Sequence, residues 1–567
     1  MDKKSGIGLI IIVIIILLTP FYQQFITRFI SPNQSPPPPA VTESPAVTPD
    51  SLTDSSRTIT VSGIDDSTAV TAQSAMIGDT TSAIRYDSLE NKDIKLIFSS
   101  RGGVIHRLYL KKYFSNADPK NRPPVQLIPP TSLRVLNHIL FIRNHQVDLS
   151  QVNFQMQPEE NGISAVGVVT LPDSTLIQIR KHYSFNSKAY TLDYHYQIQS
   201  SLGLDKHLVE WDGPLNSTES NLEGDLNHFK VYARMGDIVS EENAADDKEL
   251  KLIERSGQTH WVGLKNKYFL AAMISPQNAD GIILKGQKTS DQSKYLYSAL
   301  VFRDSAAISN TLQIYIGPID YQILKSHRNM LEKTVDMGNI VIKPFSYGIT
   351  YLIILLNRFI YDWGILIIVF SLVIKLITYP LTFKSYMASK RMAELQPKMN
   401  AIREQYGNDP QKMNKATMEL YKKEKINPMG GCLPMLLQLP IFFGLYRVFD
   451  STIMLRDQDF LWIRNLADKD STMILPILMT VLTVFQNMLT IKDPKQKFMV
   501  YLMPVVMFFI FKNLSSGLVL YWTCFTLFTI IQQEYINRFY HPAKPVEGGA
   551  TATTPTAPRP RIKSPKK

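Results

Sequence analysis

Cysteine is almost missing from this 567-residue chain: Cys432 and Cys524 are the only two, and both sit in apolar segments. The long polar region between the first apolar segment and the later ones has none, so no disulfide staples it whatever its compartment. A structural zinc site is excluded on the same ground, and the ten histidines show no ligand-like spacing. No GxxxxGK[ST] loop is present, which removes the P-loop route to nucleotide binding. Internal repeats between the apolar halves are also missing, against the pattern of many solute transporters. No cofactor or metal is expected.

What the chain does have is apolar runs, placed unevenly. Mean hydropathy near zero hides one leading anchor, a long polar region and a late cluster of membrane-length segments. Lys375 stands inside one of these, Trp363 to Tyr379 (WGILIIVFSLVIKLITY). A cation within a spanning helix marks either a functional pathway or a side chain reaching for the interface. The net charge of +12 gathers near the membrane segments and at the tail, as topology control and contact with anionic lipid or RNA require.

Five regions follow from composition. Residues 1–30 hold the run Leu9–Leu18 behind Lys3 and Lys4 and lack a small-x-small cleavage site, which favours an uncleaved anchor over a signal peptide. Residues 31–90 are rich in Pro, Ser, Thr and Asp and cannot bury enough apolar surface to fold, so they read as a tether. Over 91–340 the periodicity is two: Tyr190, Leu192, Tyr194, Tyr196 and Ile198 alternate with polar residues, as do Ile94, Leu96 and Phe98 before the turn at Arg101-Gly102-Gly103. Half-buried antiparallel strands in a large β-sandwich give this pattern. Residues 341–540 hold an interfacial helix (345–360) and spans at 363–379, 432–449, 473–489, 498–511 and 517–533, and 541–567 form a basic disordered tail.

Loop charge sets the orientation. Between Pro380 and Asn427 ten Lys or Arg face five acids, the 491–497 loop is basic, and the 450–472 loop leans acidic. The positive-inside rule then puts both termini in the cytoplasm and the sandwich outside, with six spans in all. The 498–511 segment is short for a bilayer and implies local thinning. Within the 380–427 loop, Met392, Leu395, Met399, Ile402 and Tyr406, then Met413, Ala416 and Leu420, predict a two-helix cytoplasmic hairpin kinked at Pro397. Its Met-rich stripe suits either plain hairpin packing or an adaptable client surface.

Several ordered motifs then resemble the YidC-type membrane protein insertases. They are Tyr379-Pro380-Leu381-Thr382, Leu395-Gln396-Pro397-Lys398, INPMGGCLPMLLQLPIFFGLY (Ile426–Tyr446), Asp493-Pro494 and Ser516-Gly517-Leu518-Val519-Leu520-Tyr521-Trp522. Ser100-Arg101-Gly102-Gly103-Val104-Ile105 and Trp261-Val262-Gly263-Leu264 extend the likeness to the outer region. The resemblance implies a multi-pass α-helical inner-membrane protein with a five-helix insertase core. Its large periplasmic antiparallel β-sandwich would resemble the galactose-mutarotase supersandwich.

The implied function is non-enzymatic insertion and chaperoning of nascent membrane proteins, alone or with the Sec translocon. The implied route is a hydrophilic groove open to the cytoplasm and to lipid. Lys375 takes the place of the groove's basic residue, where the family pattern has Arg; an ammonium attracts a carboxylate but lacks the bidentate fork. Gln438, Leu439 and Trp522 match groove-lining positions, with Ser371 one turn before Lys375 and Gln486 as further candidates. The competing readings are interhelical hydrogen bonding for Gln438 and Gln486 and an aromatic-belt anchor for Trp522. The hairpin (Met392, Leu395, Pro397, Met399) and basic tail imply contacts with the ribosome and anionic lipids. A membrane-anchored carbohydrate-binding or epimerase-like protein is the alternative, with His182 and His195 as its candidates.

Overall fold

In a computed structural model, the described residues are 83–116, 122–129, 134–143, 145–220, 222–242, 248–290, 293–407, 409–424, 433–490 and 497–540. The anchor, the tether up to 82, the start of the INPMGGC motif, the 491–496 loop and the tail lie outside them.

Alternating burial builds the outer region. Four strands, β1 (Tyr86–Glu90), β2 (Ile94–Ser99), β3 (Val104–Phe114) and β4 (Pro124–Gln126), form one antiparallel sheet in that order. An eleven-stranded sheet holds β5 (Arg134–Ile142), β6 (His145–Asp148), β7 (Gln155–Glu159), β8 (Gly162–Thr170), β9 (Leu176–Phe185) and β10 (Thr191–Asp212), with the short helix α1 (Leu222–Leu226) after them in the chain. It is completed by β11 (Lys230–Met235), β12 (Ile238–Glu242), β13 (Lys251–Lys265), β14 (Phe269–Ser290) and β15 (Ser293–Pro318).

Leu192, Tyr194, Tyr196 and Ile198 on β10 point into one shared core with Ile94, Leu96 and Phe98 on β2. The Phe98 ring packs 4.7 Å from that of Tyr183, joining the two sheets. Gly102 and Gly103 turn the chain with φ of 78° and 55°, and a Cβ at Gly103 would lie 2.9 Å from the Phe154 ring. Two expectations change here. Residues 86–90, given to the tether for their polarity, form edge strand β1 on β2. Tyr190, read as a strand residue, adopts φ 57° in the turn before β10.

After α2 (Tyr321–Ser326) the helical core begins. It comprises α3 (Lys343–Asn357), α4 (Trp363–Glu394), α5 (Gln396–Tyr406), α6 (Pro410–Lys423), α7 (Leu433–Ser451), α8 (Ile474–Thr490), α9 (Lys497–Phe511) and α10 (Ser516–Phe539). Asp362 caps α4 by accepting from the Ile365 amide at 2.8 Å.

Two corrections concern α4 and the hairpin. The span ending at Tyr379 runs on through Pro380 to Glu394 as one 32-residue helix; interior proline is tolerated in membrane helices where neighbours re-satisfy the freed backbone. Pro397 does not kink a helix. It opens α5, where a missing N–H costs nothing, with Leu395 closing α4. The hairpin is therefore α5 against α6, with the Tyr421 hydroxyl 3.4 Å from Met399 Sδ and Lys398 paired to Glu424 at 2.5 Å. Met392 belongs to the end of α4.

Charged side chains tie the sandwich to the helices. Arg456, in the loop after α7, has no exposed side-chain surface and pairs with Glu219 at 2.9 Å. It also donates to the Phe114 carbonyl at 2.6 Å and lies 5.8 Å from the Tyr268 and Phe269 ring centroids. Beside it, Asp450 at the end of α7 meets Lys267 at 3.5 Å and His228 at 3.4 Å, and Arg447 pairs with Asp336 at 2.9 Å. A cavity of about 430 Å³ lined by these charges lies at the junction.

Candidate functional site

The residue that starts the site is Lys375, carried by α4 and faced by α10. Its side chain is buried, with 4 % of the residue exposed. Nζ donates to Thr529 Oγ1 at 2.7 Å and lies 4.9 Å from the Phe525 ring and 6.0 Å from the Tyr386 ring. Among the described residues no carboxylate pairs with it. A hydroxyl and two ring faces compensate an ammonium only in part, so a proton carried on Nζ has no counter-ion among the described residues.

Lys375 is one rung of a longer polar stripe. Ser371, Lys375, Thr378, Thr382 and Ser385 recur on one face of α4 at spacings of four, three, four and three, and all are buried. The facing side of α10 carries Thr523, Thr526, Thr529, Gln532 and Gln533, also buried. Cross-links between the two helices include Thr382 with Gln532 (Nε2 to Oγ1, 3.1 Å), and Gln533 reaches Thr490 of α8 at 3.0 Å. Ser371 and Thr378 instead return their hydroxyls to carbonyls of their own helix, at 2.9 Å to Ile367 and Ile374 respectively.

Toward the hairpin the stripe widens. A cavity of about 320 Å³ is lined by Tyr386, Ser389, Lys390, Leu489, Thr490 and Gln533, among others. Tyr386 belongs both to this cavity and to the surroundings of Lys375. Gln533 Oε1 is buried there without a hydrogen-bond partner among the described residues. A buried polar atom left unpaired in a polar hollow is a place for water.

The remaining candidates sit around this axis. Gln438 of α7 presents a buried Nε2, and the Tyr521 hydroxyl of α10 is buried near it; neither completes a well-formed hydrogen bond among the described residues. Leu439 and Phe443 are exposed on the outside of α7. Trp522 packs edge-on against Phe442 and beside Phe511, each at 5.3 Å, two turns from Thr529 along α10. Gln486 is half-buried on α8, one turn before Thr490, whose hydroxyl donates to its carbonyl at 2.9 Å.

The structure thus brings Lys375, Thr529, Tyr386 and Gln533 together, while Gln438 and Trp522 line a separate seam between α7 and α10. Sequence reading missed Thr378, Thr382, Ser385, Thr529, Gln532 and Gln533. The signal was present as hydroxyl residues at heptad-like spacing in otherwise apolar segments.

In the sandwich, His182 and His195 stand opposite each other across β9 and β10. His182 lies 3.6 Å from Glu159 and hydrogen-bonds Ser164 at 3.0 Å, whereas His195 bonds Thr311 at 3.0 Å. Each imidazole thus has its own local partner.

With fold and site in view, the class is that of a membrane insertase with an outer β domain. A family model described as YidC periplasmic domain matches residues 88–347, and one described as 60Kd inner membrane protein matches 355–544. A relative from Prosthecochloris aestuarii, named membrane protein insertase YidC, is 30 % identical over 95 % of this chain and 95 % of its own length. Another of that name, from Chlorobaculum tepidum, is 32 % identical over 77 % of this chain and 79 % of its own. A crystal structure described as an active YidC insertase matches 80 % of this chain and 93 % of its own at 18 % identity, with a TM-score of 0.37. The chain belongs to the YidC family of membrane protein insertases.

Proposed function

We propose that this chain inserts hydrophobic segments of newly made membrane proteins along the α4–α10 polar stripe, without a catalytic step of its own. The observation that carries this reading is the buried Lys375 amine with a hydroxyl for a partner and no acid among the described residues. An unpaired cation in an apolar bundle is unfavourable for stability, and a client's acidic or polar flank supplies what it lacks. The stripe, the cavity at the hairpin end and Tyr386 between them support a hydrated recess that deepens when α4 and α10 part. Only Trp363–Glu394 passes as a full-length apolar span among the described helices, with Ile474–Thr490 and Val500–Phe511 shorter. At 1.5 Å per residue the 15 residues of α9 reach about 22 Å, which supports local thinning of the bilayer.

In this reading both termini and the hairpin are cytoplasmic, the sandwich is periplasmic, and the anchor brings the spans to six. The hairpin and basic tail receive clients from the ribosome, anionic lipids hold the basic loops, and a Sec translocon shares some clients. The driving force is burial of the client's apolar side chains, at roughly 25 cal/mol per Å². No nucleotide is consumed. Lys375→Glu is expected to abolish insertion of a single-spanning client with an acidic translocated tail, and Lys375→Arg to retain it. Normal insertion by Lys375→Glu contradicts the charge account.

A further inference from the structure

The loop between α7 and α8 carries an apolar tip that the described residues leave exposed at Leu461 and partly exposed at Trp462. Phe460 and Ile463 pair like the ends of a hairpin, with amide-to-carbonyl distances of 2.8 and 2.9 Å. Between them Leu461 adopts φ 53°, a conformation leucine rarely takes, and is 75 % exposed. Trp462 follows, 38 % exposed, its indole N–H donating to the Asp470 carboxylate at 3.5 Å.

The tip is held rigidly. The Phe460 ring lies on Gly364 so closely that a Cβ there would be 2.0 Å from it. Ile463 is buried, and Leu466 beyond it accepts from the Gly517 amide at 2.8 Å. Gly364 opens α4 and Gly517 opens α10, so the loop is pinned to the outer ends of the two helices that carry the polar stripe. Directly before α4, Phe359 and Tyr361 are also exposed, at 77 % and 82 %. The outward row of α4 continues the same surface through Ile365, Leu372 and Leu376.

We propose that Leu461 and Trp462 penetrate the outer leaflet as a fixed, non-helical wedge, so the partner of this surface is lipid. Continuity with the outward row of α4 argues for lipid over water, since both begin at the level of Gly364. The Phe460–Ile463 pairing satisfies backbone groups that lipid cannot. An indole with its N–H engaged and part of its ring exposed suits the headgroup boundary, and the exposed Arg464 beside it suits phosphate. The wedge is independent of how Lys375 acts.

The test uses the full-length protein in single-copy lipid nanodiscs, with Cys432 and Cys524 replaced by serine. Spin labels are placed by Leu461→Cys, by Trp462→Cys and, as a water control on a sandwich turn, by Asp173→Cys. Labels at 461 and 462 are expected to be relaxed by oxygen and shielded from a water-soluble nickel complex, with the reverse at 173. Brominated acyl chains should quench a fluorophore at 461 and leave one at 173 bright. Nickel access at 461 and 462 equal to that at 173 overturns the proposal, as does shielding from both relaxants, which would mean a protein cover. Retained near-ultraviolet circular dichroism shows that each variant is folded.

Discussion

Three lysines are buried among the described residues, Lys181 and Lys265 in the sandwich and Lys375 in the helical core, and Lys181 and Lys375 are treated differently. In the sandwich, Lys181 is fully buried and donates to the Gly102 carbonyl at 2.8 Å and the Leu136 carbonyl at 3.4 Å. Burial lowers its pKa to about 7, with Asp148 and Glu210 pulling the other way. In the helical core, Lys375 has one hydroxyl and, among the described residues, no acid. The first lysine fixes the turn at Gly102, so its donors are committed to the fold. The second is left short of partners, which costs stability and leaves it free for a visiting polar group.

That contrast is open to attack at the joint between the halves first. Arg456→Ala leaves Glu219 buried without its cation and is expected to cost roughly 3–5 kcal/mol, read as a lowered unfolding midpoint. Adding Glu219→Gln to Arg456→Ala should recover part of the loss. A change within error for Arg456→Ala alone would mean that the halves are not coupled through this pair.

The lysine pair comes next, with opposite signs. Lys181→Met strands the Gly102 carbonyl and should destabilise by about 1–3 kcal/mol, while insertion per folded molecule stays unchanged. Lys375→Met removes an unpaired charge and should leave thermal stability equal or higher while insertion of acidic-tailed clients falls. Equal destabilisation by both would mean that the two lysines serve the fold alike.

The smallest effect is a pH dependence located in the sandwich and its joint. Burial lowers His207 to about 3 and His327 to about 4. His228 also falls to about 4, mainly by burial, with Asp450 opposing and Lys267 and Lys265 assisting. The unfolded chain takes up these protons near 6.5 and the folded chain only near 3 to 4. The unfolded state therefore binds more protons in that window, and stability falls as pH drops from 6.5 toward 4. Glu210 works against this: burial raises it to about 7, so its protonated form favours the fold as pH drops from 7 toward 4.5. His106, His138 and His260 are lowered in the same direction, chiefly by burial. Together the imidazoles outnumber the raised carboxyls of Glu210, Asp225 and Asp468, so acidification gives a net loss, at most about 1.4 kcal/mol per pH unit for each group. A melting temperature that is flat between pH 6.5 and 4.5 would contradict the burial of these histidines.

How much was readable in the sequence also differs between the halves. Period-two alternation in Tyr194, Tyr196 and Ile198 marked β10 because one face of the strand is core and the other half-exposed. The same logic failed at 86–90, where an edge strand has polar side chains and depends on backbone pairing with β2. In the core, Lys375 stood out because lipid makes a cation anomalous. Thr529 and Gln533 did not, since hydroxyls and amides in a membrane helix equally suit ordinary interhelical bonding, and only the pairing of α4 with α10 selects them. Pro380 and Pro397 look alike in sequence, yet one lies inside a helix and the other begins one. The helix breaks between them at Leu395, which closes α4 and places Pro397 in the first turn of α5.

The central claim is that water follows the α4 stripe from the hairpin end as far as Lys375. The direct measurement is modification of single cysteines at 389, 382 and 375 by a membrane-impermeant charged thiol reagent, in membranes exposing the cytoplasmic face and with Cys432 and Cys524 replaced. Reaction at all three, slowing from 389 to 375 and accelerated at 375 while a client is being inserted, is the predicted result. Reaction at 389 with none at 375, client present or absent, would contradict it.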